Sequence, residues 1–330
     1  MSPMPSIDAK QIDHAAATLL AGGLVAMPTE TVYGLAADAT NDHAVAKIFD
    51  VKGRPQFNPL IVHVASIHMA AHFAEISPLA NKLATLFWPG PLTLVLPRRA
   101  NCDLSLLVSA GLQTVALRSP AHPAARQLIA ATNRPLAAPS ANLSGTISPT
   151  TASHVQESLG EKVDYILDGG ACSIGVESTI LKVDSTSDGN DKVWLLRAGG
   201  LDRETIAAAI GQELKTPDNN PEKPQSPGML SSHYAPATRL KLNITKPNPN
   251  EAFLGFGPLQ DAPPHYLNLS AKGDLREAAA NLFAHLRALD GLCQRLGLAT
   301  INAAPVPSTS LGEAINDRLE RAAAPRPHHP

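Results

Sequence analysis

The chain has 330 residues and a mass of 34.6 kDa, with 44% hydrophobic and 17% charged residues. That apolar content can offset chain entropy, so a generally disordered protein is excluded, and the length suggests two domains or one large α/β domain with an extension. The 27 basic and 29 acidic residues are evenly spread, with 14 and 16 of them in residues 1–200, so neither half binds nucleic acid by bulk charge. Phosphate recognition, if present, is local. Cys102, Cys172 and Cys293 form no CxxC pair, which argues against a disulfide framework or a zinc knuckle and for a reducing cytoplasm. No apolar run approaches membrane-spanning length, so no membrane partner is expected.

Along the chain, an amphipathic helix is predicted over 8–21, stopped by Gly22-Gly23, and a short strand over 24–27 ending at Pro28. A helix over 42–51 follows, with a β-branched strand at 60–64. Ser77-Pro78 is a cap followed by a first-turn proline, opening a helix over 78–88 that the Pro89-Gly90-Pro91 breaker closes. Strand-like runs recur at 92–96, 114–118, 135–138, 163–167, 178–183 and 193–197, with helices at 121–132 and 150–159. Helices do not separate the strands regularly, so a mixed sheet is expected rather than a parallel one. Residues 216–228, TPDNNPEKPQSPG, place four prolines among polar residues and read as a linker. Beyond it, strands at 238–242, 252–256, 266–269 and 298–302 and helices at 274–289 and 310–322 make a second, smaller α/β unit.

Several polar segments sit at strand ends, where α/β sheets place ligands. Pro28-Thr-Glu-Thr-Val-Tyr-Gly34 leaves the first strand. Lys52-Gly53-Arg54 offers a point charge and a planar fork beside a glycine, which suits an anion, although an isolated turn of this kind is more often a solvated surface. His63 lies on a strand and Arg118 ends one. In an extended stretch Ser140 and Asn142 face the same side and meet one ligand together. Gly175-Val-Glu-Ser178-Thr179 precedes a strand and Arg197 ends another. There is no GxxxxGK[ST] loop, GxGxxG, GxSxG or HExxH motif.

Taken together and in order, PTETVYGLAADA, KGRPQFNPLIVHV, PGPLTLVLP, TVALRSP, APSANLSG and GVESTI closely resemble the threonylcarbamoyl-AMP synthase family. The resemblance covers about residues 10–200. SPGMLSSHYAP at 226–236 and LGEAINDRL at 311–319 extend it to the family's two-domain form. It implies a twisted mixed sheet with helices, YrdC-like, over 1–211, a proline-rich linker over 212–237 that reaches back to the active site, and a small Rossmann-like α/β domain over 238–330.

The resemblance further implies a nucleotidyltransferase making L-threonylcarbamoyladenylate and pyrophosphate from L-threonine, bicarbonate and ATP, with Mg²⁺ accompanying the ATP. The product is expected to pass to t6A transferase proteins for modification of adenosine 37 in tRNA, with at most weak contact to tRNA itself. Residue by residue, Lys52, Arg54, Ser140 and Asn142 match the catalytic pairs. Arg54, Asn58, Thr114, Ser140, Ser148, Arg197 and Tyr234 match ATP contacts, and Thr31, His63, Arg118, Ala138 and Ser178 match threonine contacts. No residue is expected to ligate a metal directly. A non-catalytic double-stranded-RNA or ribosome-binding module of the same fold would have lost both pairs and carry a basic face, and this chain does neither. A hydrogenase-maturation carbamoyl-transfer domain would sit in a longer chain with zinc fingers.

Overall fold

Short aliphatic strands, each stopped by proline, glycine or a polar turn, assemble into two sheets. The computed structural model describes residues 7–55, 58–184, 191–217, 233–246, 248, 250–259 and 261–325. The first sheet contains β1 (Val25–Met27), β2 (Gly34–Asp38), β3 (Ile61–His63), β4 (Leu92–Pro97), β5 (Thr114–Arg118), β6 (Leu136–Ala137), β7 (Tyr165–Ile166), β8 (Thr179–Asp184) and β9 (Lys192–Arg197). Its order is β7-β1-β2-β6-β3-β5-β4-β8-β9. The β1–β7, β3–β5 and β4–β8 pairs are parallel and the others antiparallel, as a mixed sheet requires. The second sheet contains β10 (Arg239–Lys241), β11 (Ala252–Gly255), β12 (Tyr266–Asn268) and β13 (Thr300–Ala303), in the order β10-β13-β11-β12 and wholly parallel.

The helices begin where the sequence caps them. Asp8 and Gln11 form a capping box for Ala9–Leu20, and Ser77 with Pro78 opens Pro78–Phe87. Asn41 caps Asp42–Lys52, which ends at Gly53 with φ of +58°, a left-handed turn that a side chain would strain. The long helix Leu275–Leu296 runs past the expected end at 289, because Cys293 still faces the core and the left-handed Gly297 is the true stop. Two elements carry no periodic signal in the sequence. β2 is buried on both faces and so does not alternate, and Arg203–Ile210 is a helix with only Ile206 buried. Of the expected linker, residues 218–232 lie outside the described residues, while 212–217 and 233–237 are described.

The two units share an apolar seam. Val32, Ile147 and Val176 from the first join the core of the second, beside Ala279 and Phe283 of the long helix. Gly175 is needed there: a side chain on it would stand 2.4 Å from the Ala279 carbonyl oxygen. Burying a side chain the size of Phe283 is worth about 1.5–3 kcal/mol. Arg287 donates to the Ile147 carbonyl at 2.7 Å, and Arg203 pairs with Glu313 at 2.7 Å across the same seam. No described helix is long and apolar enough to cross a membrane.

Candidate active site

The turn after β1 is built by Thr29. Its hydroxyl donates to the Val32 carbonyl at 2.6 Å and accepts the Thr31 and Val32 amides, each at 3.2 Å. This fixes Thr31, whose Oγ1 lies 2.8 Å from that of Thr29 and 2.9 Å from Nη1 of Arg118. Arg118 donates to Thr31, so the proton order is settled: Thr31 donates on to Thr29, and Thr29 to the backbone.

Parallel pairing of β3 and β5 sets His63 directly beside Arg118. The Arg118 guanidinium meets Glu30 at 2.6 Å and also donates from Nε to the Gly90 carbonyl at 3.2 Å. Of its five N–H groups, three are used by these described partners, which leaves two for an anion. Glu30 accepts the Ala121 and His122 amides on its other oxygen, at 3.0 and 3.3 Å. Burial alone would raise its pKa, but Arg118 and these amides hold the carboxyl below the usual range.

Arg54, Ser140, Arg197 and Tyr234 line the same cleft as Thr31, His63 and Arg118, about 550 Å³ with open solvent included. Arg54 is oriented by the Asn58 and Pro59 carbonyls at 3.3 and 3.0 Å, and Arg197 by the Ser178 carbonyl at 2.9 Å. Burial lowers both, Arg54 to about 10; a guanidinium in a protein keeps its proton at neutral pH. Ala138 and Ser178 complete the wall, the latter with its hydroxyl 2.7 Å from that of Thr93.

Thus Thr31, His63, Arg118, Ala138 and Ser178 line one cleft together with Arg54, Ser140, Arg197 and Tyr234, and Arg197 meets Ser178 directly. The other expected residues are placed differently. Lys52 is 2% exposed and does not line the cleft; its ammonium donates to the Ser140 and Asn142 carbonyls. Burial, with Arg54 adding to it, pulls that ammonium well below the ordinary lysine value. Asn142 does not share a face with Ser140, because the chain turns there and its amide nitrogen donates to the Leu143 and Thr146 carbonyls, both at 2.9 Å. Lys52 and Asn142 therefore shape the loop that presents Ser140. Asn58 and Ser148 stand behind the wall, Ser148 donating to Glu177 at 2.6 Å. Thr114 opens β5 at the end opposite Arg118, about 13 Å away at strand spacing, and does not reach the cleft.

Glu30, Glu177 and His233 belong to the site without having been singled out by the sequence. Their signal was a carboxylate or imidazole inside a quoted motif: Glu30 just after β1, Glu177 just before β8, and His233 beside Tyr234. His63 and His233 are buried, and burial is the main reason each is lowered to about 3. The unfolded chain protonates them near 6.5, so it binds more protons between about 6.5 and 3 and stability falls as pH drops through that window. Urea midpoints at pH 7.5 and 5.5 should show a loss of up to about 1.4 kcal/mol per histidine per pH unit below 6.5. Equal midpoints would show that these side chains are not held neutral.

Comparison with known proteins gives the family and the fold. The Sua5–YciO–YrdC family model, described as telomere recombination, matches residues 17–199, and the model for the threonylcarbamoyl-AMP synthase C-terminal domain matches residues 201–324. A threonylcarbamoyl-AMP synthase of Bacillus subtilis is 42% identical, covering 96% of this chain and 94% of its own length. That of Pyrococcus abyssi is 40% identical over 97% of this chain and 96% of its own. The crystal structure of P. abyssi Sua5 complexed with L-threonine has a TM-score of 0.86 at 38% identity, covering 96% of this chain and 95% of that one. On these matches the chain belongs to the family of two-domain threonylcarbamoyl-AMP synthases.

Proposed function

We propose that this chain makes threonylcarbamoyl-AMP and pyrophosphate from L-threonine, bicarbonate and ATP, as a nucleotidyltransferase. The observation that carries the reading is one cleft lined by two cationic groups of different design. One is Arg118 beside neutral His63 and Thr31; the other is Arg54 with Arg197, next to Ser140 and Tyr234. The two N–H groups left on Arg118 suit the threonine carboxylate, and the neutral imidazole of His63 suits the threonine hydroxyl or amine. Rejecting valine would then follow from leaving that polar group unpaired.

The threonine nitrogen forms a bond to the carbon of bicarbonate, and water leaves. The carbamate oxygen then attacks the α-phosphorus as the bond to pyrophosphate breaks. Arg54 and Arg197 meet the charge on the phosphates, and the close walls hold the reactants in line. Among the described residues no group of three or more His, Cys, Asp or Glu could hold a metal, and Glu30 and Glu177 are already in ion pairs. Magnesium would enter with ATP, as MgATP. The product would pass to the proteins that complete t6A at position 37 of tRNA, and three unpaired cysteines suit a reducing cytoplasm.

Pyrophosphate release from MgATP tests the reading. It should require both L-threonine and bicarbonate, and equal release with threonine omitted would refute it.

A further inference from the structure

The helix Leu311–Ala323 turns Leu311, Ala314, Ile315, Leu319 and Ala322 inward, and with them one arginine. Arg318 is 1% exposed and is the bulkiest fully buried side chain among the described residues. It reaches out of the second unit into the first. Nε donates to Oε2 of Glu177 at 2.8 Å and Nη1 to the Ala198 carbonyl at 2.8 Å. Nη1 also meets Asp317 at 2.6 Å, and Asp317 in turn pairs with Arg321 at 2.8 Å. The guanidinium carbon sits 5.3 Å from the centre of the Tyr234 ring.

Glu177 is the reason this matters. It lines the cleft on the side of Arg197 and Tyr234, where the phosphates of ATP are placed above. A bare carboxylate there would repel a polyanion. Ser148 gives its other oxygen a hydrogen bond but no charge, and while Arg197 attracts Glu177 electrostatically, the cation Glu177 meets in a 2.8 Å ion pair is Arg318. Arg318 pairs with both Glu177 and Asp317, and Asp317 pairs with Arg321 as well.

We propose that Arg318 is a positioning residue for ATP, carried by the second unit, whose buried guanidinium cancels the charge of Glu177 in the cleft wall. This rests on the function proposed above. It makes nucleotide binding by the first unit depend on docking of the second, while the threonine pocket, closed by Glu30 and Arg118, stands apart from that dependence.

The test is calorimetric titration of the full chain with MgATP and, separately, with L-threonine. Arg318→Met should weaken ATP binding at least about tenfold and leave threonine affinity within about twofold, with Arg318→Lys between it and wild type. Adding Glu177→Gln to Arg318→Met should recover ATP affinity to the level of Glu177→Gln alone, because the charge to be cancelled is gone. If Arg318→Met does not fold, the double variant, which buries no unpaired charge, decides by the same comparison with Glu177→Gln. An unchanged ATP affinity, an equal loss for both ligands, or a double variant much weaker than Glu177→Gln would overturn the inference, leaving Arg318 as a seam contact only. A wild-type chain that binds threonine but no ATP would instead remove the reading beneath it.

Discussion

Replacing Arg118 by glutamine is expected to abolish threonine binding and to lower stability by about 3–5 kcal/mol, the usual cost of leaving one member of a buried ion pair alone. Arg118 and Glu30 are both under a tenth exposed and 2.6 Å apart. Without the guanidinium, the Glu30 carboxylate keeps only the Ala121 and His122 amides, and Thr31 loses the donor that fixes its hydroxyl. Two effects are therefore mixed in one substitution. The double variant Glu30→Gln/Arg118→Met separates them: it carries no uncompensated charge, so most of the stability should return while threonine binding stays absent. MgATP should still bind the folded double variant, since Arg54 and Arg197 still line the cleft. Threonine affinity at the wild-type level in either folded variant would sink the assignment of Arg118 to the carboxylate.

Much of the architecture is legible in the sequence because its signals are local. Caps at Asp8, Asn41 and Ser77 and the left-handed stop at Gly53 act within a few residues and place those helix ends to within a turn, whereas Leu275–Leu296 outruns its expected end. β2 is not legible, since a strand buried on both faces loses its alternation. The helix Arg203–Ile210 is equally quiet, because it buries a single residue.

The site divides along the same line. Residues that end strands, such as His63, Arg118 and Arg197, line the cleft because the end of a strand fixes where its last side chain goes. Direction fails where the backbone stops being extended. Asn142 looks equivalent to Ser140 only if residues 140–142 form a strand, and they turn instead. Partnerships across long sequence separations leave no local trace. Glu177 and Arg318 lie 141 residues apart. Yet the arginine has one visible mark, a charge on the apolar stripe of an amphipathic helix, and such a charge is almost never buried without a partner.

Lys52 shows the difference between carrying chemistry and carrying shape, and Lys52→Met is expected to fail on both counts. As part of a turn beside Gly53, the lysine looks removable without loss of core. In the fold it is 2% exposed at the end of the helix Asp42–Lys52, where the helix dipole favours a cation. Its ammonium ties the Ser140 and Asn142 carbonyls together, and the Lys52 carbonyl accepts the Ser144 amide at 2.8 Å. A methionine fills most of the space but satisfies neither side-chain acceptor, so two buried carbonyls lose their donor. The expected loss is about 2–5 kcal/mol of stability. Activity should fall with it, and restoring the fold with a stabilising osmolyte should not restore activity, because Ser140 is no longer presented to the cleft. Arg54→Ala is the contrast: Arg54 lines the cleft itself, so its loss should raise the ATP requirement directly. Urea midpoints and ATP titrations on the two variants distinguish the roles. A Lys52→Met chain as stable as wild type would show that the lysine does not hold the loop.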